Sequence, residues 1–476
     1  PMSTGIGGDC FALIYEAQTG QVTALNGSGR APAAFDLEQT RRLDLESIPL
    51  SGPLPVTVPG AVSGWAALLG RFGRLTLADC LAPAIATAEE GFPVSERISA
   101  GWQRAAEKLS KDNEARRVYL PAPRPGEIHR QPDLARTFRA LAEGGAEAFY
   151  RGPLAAKIAD CVQAKGGYMT VADMAAHTAT WETPIRTTYR DVEVLQHPPN
   201  GQGLAALVAL NIVEGYDLGD MDYFDPLRWH AMIEAMRMGM ADAARYVADP
   251  AVVDVPVDGL LSKEYAARRR PLIRPDRALE IIAPGQPEHR DTIYLTVVDG
   301  EGNAASFINS LFHGFGSGLV VPGTGICLQN RGACFRLEPG HPNALAGGKR
   351  PYHTIIPALA LRQGKLWLSF GVMGGFMQPQ GHLQVLVNLV DYGLSPQAAL
   401  DAPRFRVDER GGLPVAIENG VPLKTRQALA ALGHDVRPEV TFSPGFGSGD
   451  IIAVDAESGV LHGASDPRKD GAAVGF

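Results

Sequence analysis

The pattern of apolar and polar positions alternates between helical and strand-like stretches in the first half of the chain. Short alternating runs at residues 10–15 and 21–25 predict two strands joined by a tight turn. Apolar positions at helical spacing predict amphipathic helices at residues 133–146 and 153–164. Residues 229–247 predict a long helix rich in methionine, which we interpret as core filling.

A change of pattern follows at residues 274–290. Pro275, Pro284 and Pro287 stand among charged residues there, and no apolar period is sustained. The segment is therefore predicted to be an exposed connector, for which an interdomain linker is the plain alternative. Beyond it the chain becomes rich in strands. Two hairpins are predicted, from residues 292–298 with 304–309 and from 355–361 with 366–371. Helices at 381–391 and 396–402 and a strand at 451–454 complete the prediction.

Composition narrows the function classes. A chain of 476 residues suggests two or three domains or one large composite domain. The formal net charge of −8 argues against nucleic-acid binding, which needs a basic surface. The longest apolar run, residues 203–213, is far shorter than the roughly 20 residues of a membrane-spanning helix. We therefore expect neither a nucleic-acid partner nor a membrane partner.

The five cysteines are scattered, and none forms a C-x-x-C pair, so neither a disulfide framework nor a zinc ribbon is expected. The eleven histidines show no metal-ligand spacing, and we expect no metal and no cofactor. The abrupt start at Pro1 is typical of a fragment. Without a leader and with unpaired cysteines the cytoplasm is favoured, whereas a leader before Pro1 would indicate the periplasm.

Glycine-rich segments can form catalytic or nucleotide-binding loops. Gly-Phe-Gly-Ser-Gly occurs at residues 314–318 and 445–449, but neither copy has the spacing of a nucleophile elbow or of a dinucleotide loop. Met373-Gly374-Gly375 follows a predicted strand. Its backbone amides are suited to binding an oxyanion, and a bulge or a close backbone approach is the alternative.

Thr292 opens a predicted strand, where threonine is ordinary. It becomes a nucleophile if the bond from Asp291 to Thr292 is cut, because the new α-amine, with a pKa of roughly 7.7–8.0, can then act as its base.

The order of these pieces resembles the γ-glutamyltransferase family of N-terminal-nucleophile hydrolases. The resemblance covers nearly the whole chain and includes a further set of landmarks: residues 1–8, 58–62, 90–95, 148–152, 316–318, 373–375, 465–468 and 470–473. It implies an α+β fold, a four-layer αββα sandwich. It also implies self-cleavage between Asp291 and Thr292 into a large subunit, 1–291, ending in a mobile linker at 274–291, and a small subunit, 292–476. A dimer of such pairs is left open.

By the same resemblance, Thr292 is the nucleophile, Gly374 and Gly375 bind the oxyanion, and Ser310 orients the nucleophile. The substrate residues depart from the family pattern. The arginine for the glutamyl carboxylate falls at Ser28, with Arg30 two positions further. The other departures are Cys334 for an acidic residue, Phe312 for an asparagine, Arg331 for a glutamine, and His353-Thr354 for a serine pair.

Losing the carboxylate partner of a substrate ammonium is costly, so binding of a glutamyl head group in the usual pose is disfavoured. Arg30, Arg331 and His353 suit a substrate with a carboxylate and no ammonium, as in the branch with oxamate amidohydrolases and glutaryl-type cephalosporin acylases. We therefore expect an amidohydrolase acting on such a small molecule. A γ-glutamyl hydrolase or transpeptidase and an uncleaved, catalytically silent binding protein are the alternatives.

Overall fold

The computed structural model describes residues 2–280, 292–407 and 412–476. Asp291 and the rest of residues 281–291 lie outside this range. The strands within it are β1 Asp9–Glu16, β2 Gln21–Gly27, β3 Phe92–Pro93, β4 Ile128–His129, β5 Thr180–Glu182, β6 Ile185–Tyr189, β7 Val192–Gln196, β8 Ile293–Val298, β9 Ala304–Ser310, β10 Ala358–Arg362, β11 Lys365–Met373, β12 Phe405–Val407, β13 Pro414–Glu418, β14 Asp435–Glu439, β15 Ser448–Val454 and β16 Leu461–Ser465.

The helices within the same range are α1 Leu37–Arg42, α2 Ala61–Phe72, α3 Leu77–Glu90, α4 Glu96–Arg104, α5 Ala106–Ser110, α6 Asn113–Tyr119, α7 Pro132–Tyr150, α8 Pro153–Gln163, α9 Val171–Ala175, α10 Gly203–Val213, α11 Pro226–Tyr246, α12 Val257–Leu261, α13 Lys263–Arg269, α14 Gln378–Val390, α15 Pro396–Asp401 and α16 Leu423–Ala431. No helix in the described part of the chain is both long enough and apolar enough to cross a membrane.

Two antiparallel sheets form the centre of the molecule. The first has the strand order β5-β2-β1-β9-β8, and the second has the order β16-β15-β11-β10-β7-β6. Their facing sides share one apolar cluster, in which Leu13 and Tyr15 of the first sheet contact Leu359 and Leu361 of the second. Side chains that alternate along each strand therefore meet between the sheets.

Helices cover both outer faces. On the first sheet, Leu68 and Phe72 of α2 pack against Ile14 and Leu25. On the second sheet, α10 is buried along its whole length and packs with α11 and α14 in the largest apolar cluster. An amphipathic layer on each side of a sheet pair is one of the few stable ways to bury all of these faces. The α+β, four-layer αββα expectation is confirmed.

Most predicted elements are present, with one difference near the site. The strand predicted at residues 355–361 begins only at Ala358. Pro357 has no N–H to give to a sheet. The two residues before it donate to side chains instead, Ile355 N to His353 Nδ1 at 3.3 Å and Ile356 N to Gln378 Oε1 at 3.0 Å. The site therefore uses backbone that a regular strand would have paired.

The described part of the connector, residues 274–280, is largely exposed, as predicted. Its backbone is nevertheless held by α11. His230 Nε2 donates to the carbonyl of Arg274 at 2.8 Å, and Arg237 Nη2 donates to that of Leu279 at 2.8 Å. Glu234 accepts from the amide of Leu279 at 3.2 Å. The connector is thus attached to the helical layer as far as Leu279, which its sequence did not indicate.

Candidate active site

Thr292 lies immediately before β8, the edge strand of the first sheet. The register pairs Ile293 with Asn309, so Thr292 comes to lie beside Ser310 at the end of β9. Its Oγ1 is 3.2 Å from Ser310 Oγ, and both residues are buried. The predicted nucleophile and its predicted orienting residue are therefore brought together.

The direction of the hydrogen bond between these hydroxyls follows from the other contacts of Ser310. Its oxygen accepts from the Phe312 amide at 2.8 Å and, more weakly, from Arg331 Nη2 at 3.5 Å. A hydroxyl has two acceptor positions and one proton. Because both positions are engaged, Ser310 is the favoured donor in its contact with Thr292 Oγ1. This arrangement stabilises negative charge on the Thr292 oxygen and leaves the Thr292 proton available to a base.

The facing sheet places the glycine pair. Thr296 Oγ1 is hydrogen-bonded to Ser369 Oγ, and the Tyr294 ring lies against Gly371, where a Cβ would be 2.5 Å from a ring carbon. The facing positions advance by two residues at a time, toward the start of β8 and the end of β11. The next position after Tyr294 and Gly371 therefore sets Thr292 opposite Met373. Gly374 and Gly375 follow Met373 directly, at the end of β11. The predicted oxyanion residues thus lie at the same end of the sandwich as Thr292.

The turn formed by these glycines needs them. Gly374 has φ +130° and Gly375 has φ +61°, values that other residues rarely adopt. A Cβ on Gly374 would also lie 2.9 Å from the Cα of Gly447. The Gly374 carbonyl accepts from Met377 N at 3.1 Å. Because the peptide is planar and trans, the Gly375 N–H points the opposite way, out of this turn.

Arg331 is a fully buried cation that reaches Thr292 through Ser310. Its Nη1 donates to Thr354 Oγ1 at 2.7 Å, and its guanidinium lies 4.2 Å from the centre of the Phe312 ring. Phe312 holds this position with φ +79°, a strained conformation for an aromatic residue that is often kept at functional sites. The three predicted residues Ser310, Arg331 and Thr354 therefore form one connected group.

A cavity of about 590 Å³ adjoins this group, and Phe312, whose ring lies against Arg331, is part of its lining. Four aromatic residues line it, Phe312, Phe335, Tyr352 and Phe376, and the rings of the last two stack at 5.6 Å. Cys334 lies in its wall, where the family pattern has an acidic residue. Tyr352 and Phe376 were not singled out from the sequence, because an isolated aromatic residue gives no sign of lining a cavity.

His353 is held away from the cavity wall by a buried carboxylate. Its Nε2 lies 3.0 Å from Asp9 Oδ2, while its Nδ1 accepts from the Ile355 amide, so Nε2 carries the proton. Burial lowers the pKa of His353 well below its usual value, and the charge of Arg331 acts in the same direction. Burial also raises the pKa of Asp9, opposed by Arg331 and by Gln329. A charged residue opening the apolar β1 strand was the available signal for Asp9.

Ser28 and Arg30 form a second group. Ser28 Oγ donates to Asn26 Oδ1 at 2.7 Å, and Arg30 pairs with Asp249 at 3.6 Å. Gly29, between them, donates to Asp9 Oδ1 at 2.9 Å. The segment with Ser28 and Arg30 is therefore joined to His353 through Gly29 and Asp9. Among the described hydrogen bonds, neither Ser28 nor Arg30 contacts the guanidinium of Arg331.

One set of three side chains among the described residues has the composition of a metal site: His230, Glu234 and His434, all buried. His230 Nδ1 lies 2.8 Å from His434 Nε2. Their separation in sequence concealed the contact. Arg237 is 2.5 Å from Glu234 and already balances its charge, so a divalent cation there would meet repulsion. His230 and Glu234 hold the connector instead.

Comparison with known proteins gives consistent matches over the whole chain. The family model described as Gamma-glutamyltranspeptidase matches residues 1–476. The Glutathione hydrolase-like YwrD proenzyme of Bacillus subtilis (strain 168) is 38% identical, covering 100% of this chain and 91% of its own length. The Oxamate amidohydrolase proenzyme of Klebsiella pneumoniae is 36% identical with the same coverage. The crystal structure of cephalosporin acylase from Bacillus halodurans superimposes with a TM-score of 0.93 at 45% identity, covering 99% of this chain and 87% of that one.

Proposed function

The chain belongs to the gamma-glutamyltranspeptidase family of N-terminal-nucleophile amidohydrolases, and from that premise we propose that it uses Thr292 to hydrolyse the amide of a small carboxylate-bearing molecule. The observation that carries the proposal is the contact of a buried Thr292 hydroxyl with Ser310, itself within reach of the buried Arg331. A nucleophile, a hydroxyl that orients it and a fixed cation are then contiguous.

Maturation comes first. The Thr292 oxygen attacks the carbonyl carbon of Asp291, and the peptide C–N bond breaks as the nitrogen takes up a proton. The resulting ester reacts with water, which leaves a carboxylate on Asp291 and an α-amine on Thr292. The large subunit is then 1–291 and the small subunit 292–476. Ser310 favours this step because it donates to the attacking oxygen.

Turnover repeats the chemistry on the substrate. The α-amine of Thr292 accepts the hydroxyl proton as the oxygen bonds to the amide carbon, and the amides of Gly374 and Gly375 stabilise the oxyanion. The leaving amine departs with that proton, and an ester remains on Thr292. Water then attacks the ester carbon while the α-amine takes a proton from it. The bond to the Thr292 oxygen breaks, that oxygen takes the proton back from the amine, and the carboxylic acid is released.

Substrate choice follows from charge. Arg331 is a buried guanidinium, and Arg is well matched to a carboxylate. Cys334 supplies no charge where the family pattern has an acid. A substrate of the oxamate or glutaryl type, with a carboxylate and no ammonium, fits these two residues together. Arg30, Ser28, His353 and Thr354 remain predicted contributors to this binding, with Arg30 and Ser28 acting through the Asp9 group.

A γ-glutamyl hydrolase or transpeptidase is the second candidate. It is favoured by the presence of two carboxylates, Glu46 and Glu338, in the lining of the cavity, where either could meet a substrate ammonium. Both side chains are exposed, which weakens their attraction for an ammonium relative to a buried partner.

Mass spectrometry of the purified chain and of Thr292→Ala tests the nucleophile. We expect two fragments meeting at Asp291 and Thr292 from the wild type, and one uncut, inactive chain from the variant. Thr296→Ala is the matched control, because Thr296 lies on the same strand and is hydrogen-bonded to Ser369 across the sheets. Cleavage or turnover by Thr292→Ala would disprove the mechanism. An uncut, inactive wild type would favour the silent binding protein.

The substrate is tested by comparing ammonia release from oxamate and acid release from glutaryl amides with chromophore release from a γ-glutamyl anilide. We expect the first two to exceed the third. Efficient γ-glutamyl release that increases with an added dipeptide acceptor would instead establish the second candidate.

A further inference from the structure

Gln202 is a buried amide that touches three parts of the site at once. It precedes α10 and is fully buried. Its Nε2 donates to the carbonyl of Thr354 at 2.7 Å and to that of Gly375 at 2.8 Å. Its Oε1 accepts from the hydroxyl of Tyr352 at 3.0 Å. The glycine turn, the segment beside Arg331 and the cavity wall are therefore joined through one side chain.

The orientation of this amide is determined by its partners. A carbonyl oxygen can only accept, so the nitrogen of Gln202 must face Thr354 and Gly375. The oxygen then faces Tyr352, whose hydroxyl donates. The amide nitrogen of Gln202 thus donates twice and its oxygen accepts once, all with protein partners, and a buried amide in this state is held rigidly.

We infer that Gln202 is a positioning residue for the oxyanion site. Its bond to the Gly375 carbonyl complements the bond from Met377 N to the Gly374 carbonyl, so that the peptides on both sides of Gly375 are held. The direction of the Gly375 N–H depends on both. Its bond to the Thr354 carbonyl links this turn to the residue whose hydroxyl accepts from Arg331.

The inference rests on the proposed function, since it assigns a partner to the proposed oxyanion residues. Removing an oxyanion donor lowers kcat by about 10²–10³-fold. A donor that remains but is misplaced is expected to lower kcat by about 10- to 100-fold, because small displacements from the productive geometry are costly. KM is expected to change by less than about threefold, since Gln202 contacts no substrate group.

The experiment uses Gln202→Met, which removes the amide at nearly constant volume. Gln384→Met is a matched control. The Nε2 of Gln384 also donates to two carbonyls, those of Gln380 at 2.9 Å and Phe405 at 3.0 Å, and its Oε1 accepts from Phe405 N. It is buried in α14, away from the glycine turn. Both variants therefore lose the same kinds of bond, and only one of them loses them at the site.

For each variant we would measure Tm, the rate of self-cleavage, and kcat and KM of the cleaved enzyme. The inference is supported if the two variants lower Tm to a similar extent while only Gln202→Met lowers kcat or, where it fails to mature, the self-cleavage rate. It is overturned if Gln202→Met keeps kcat within about twofold, or if Gln384→Met lowers kcat equally. Loss of all activity in Thr292→Ala together with a normal kcat in Gln202→Met would refute this inference and leave the proposed function intact.

Discussion

Replacing Arg331 by glutamine should change which substrates the enzyme accepts. Arg331 is fully buried, with Thr354 Oγ1 at 2.7 Å and Ser310 Oγ at 3.5 Å. Two substrates isolate its effect, a glutaryl anilide and a γ-glutamyl anilide, which share the carboxylate and the scissile amide and differ only in the α-ammonium. Any change in the ratio of their kcat/KM values therefore reports on the ammonium alone.

The magnitude follows from the charges. A hydrogen bond to a charged group contributes about 1.5–3 kcal/mol, so loss of the carboxylate contact should lower kcat/KM for both substrates by about 10- to 150-fold. An ammonium about 6 Å from the guanidinium is repelled by about 3 kcal/mol at an effective dielectric constant of about 20. Removing that repulsion should shift the ratio toward the γ-glutamyl substrate by about 100-fold.

The assay is release of the anilide chromophore by cleaved enzyme, with both substrates at limiting concentration. Arg331→Lys is the control, because it keeps the charge and loses the planar fork, so its ratio should stay near that of the wild type. Arg404, also fully buried and paired with Asp466, provides a second control: Arg404→Gln should lower stability and leave the ratio unchanged. A processed Arg331→Gln enzyme that keeps the wild-type kcat/KM for the glutaryl anilide would refute the assignment of the substrate carboxylate to Arg331. A ratio equal to that of the wild type would refute the repulsion between Arg331 and the substrate ammonium.

Two further predictions follow. Ser310→Ala removes the hydrogen bond to Thr292 Oγ1 and should lower kcat and the self-cleavage rate about 5- to 30-fold. Ser310→Thr keeps the hydroxyl and should retain both rates. Equal losses in the two variants would contradict the role of the hydroxyl. The free energy of unfolding should fall between pH 6.5 and pH 5. Burial lowers the pKa of His177, His382 and His434 to about 3 each. Below pH 6.5 the unfolded state therefore binds protons on these histidines that the folded state does not bind. At pH 5 this costs about 2 kcal/mol for each such histidine. Denaturant unfolding at pH 8, 6.5 and 5 measures the fall, and His382→Leu should reduce its slope by about one proton; a stability that rises as the pH falls would contradict the argument.

The sequence pattern predicted the helices and strands that carry the site. It did not predict where backbone amides bind side chains instead of a neighbouring strand. Strands β8, β9 and β11 were predicted because their apolar runs flank the turn residues of two hairpins. The late start of β10 was missed because the amides of Ile355 and Ile356 bind His353 and Gln378, which no local pattern encodes. Thr292 and the glycine pair were identified by resemblance, since a threonine opening a strand is ordinary by itself.

The sequence alone determined the alternation that builds two stacked sheets, the glycines able to form the turn at Gly374 and Gly375, and the presence of an arginine where the family pattern has an uncharged residue. Only the tertiary structure decided that Arg331 lies against Phe312, that His353 faces Asp9, and that Gln202 links the glycine turn to the cavity wall. The physical reason is that burial and pairing of a polar side chain depend on partners hundreds of residues away: Asp9 and His353 are 344 residues apart, and Gln202 and Gly375 are 173 apart. Local spacing specifies which residue types are present, and packing determines which of them meet.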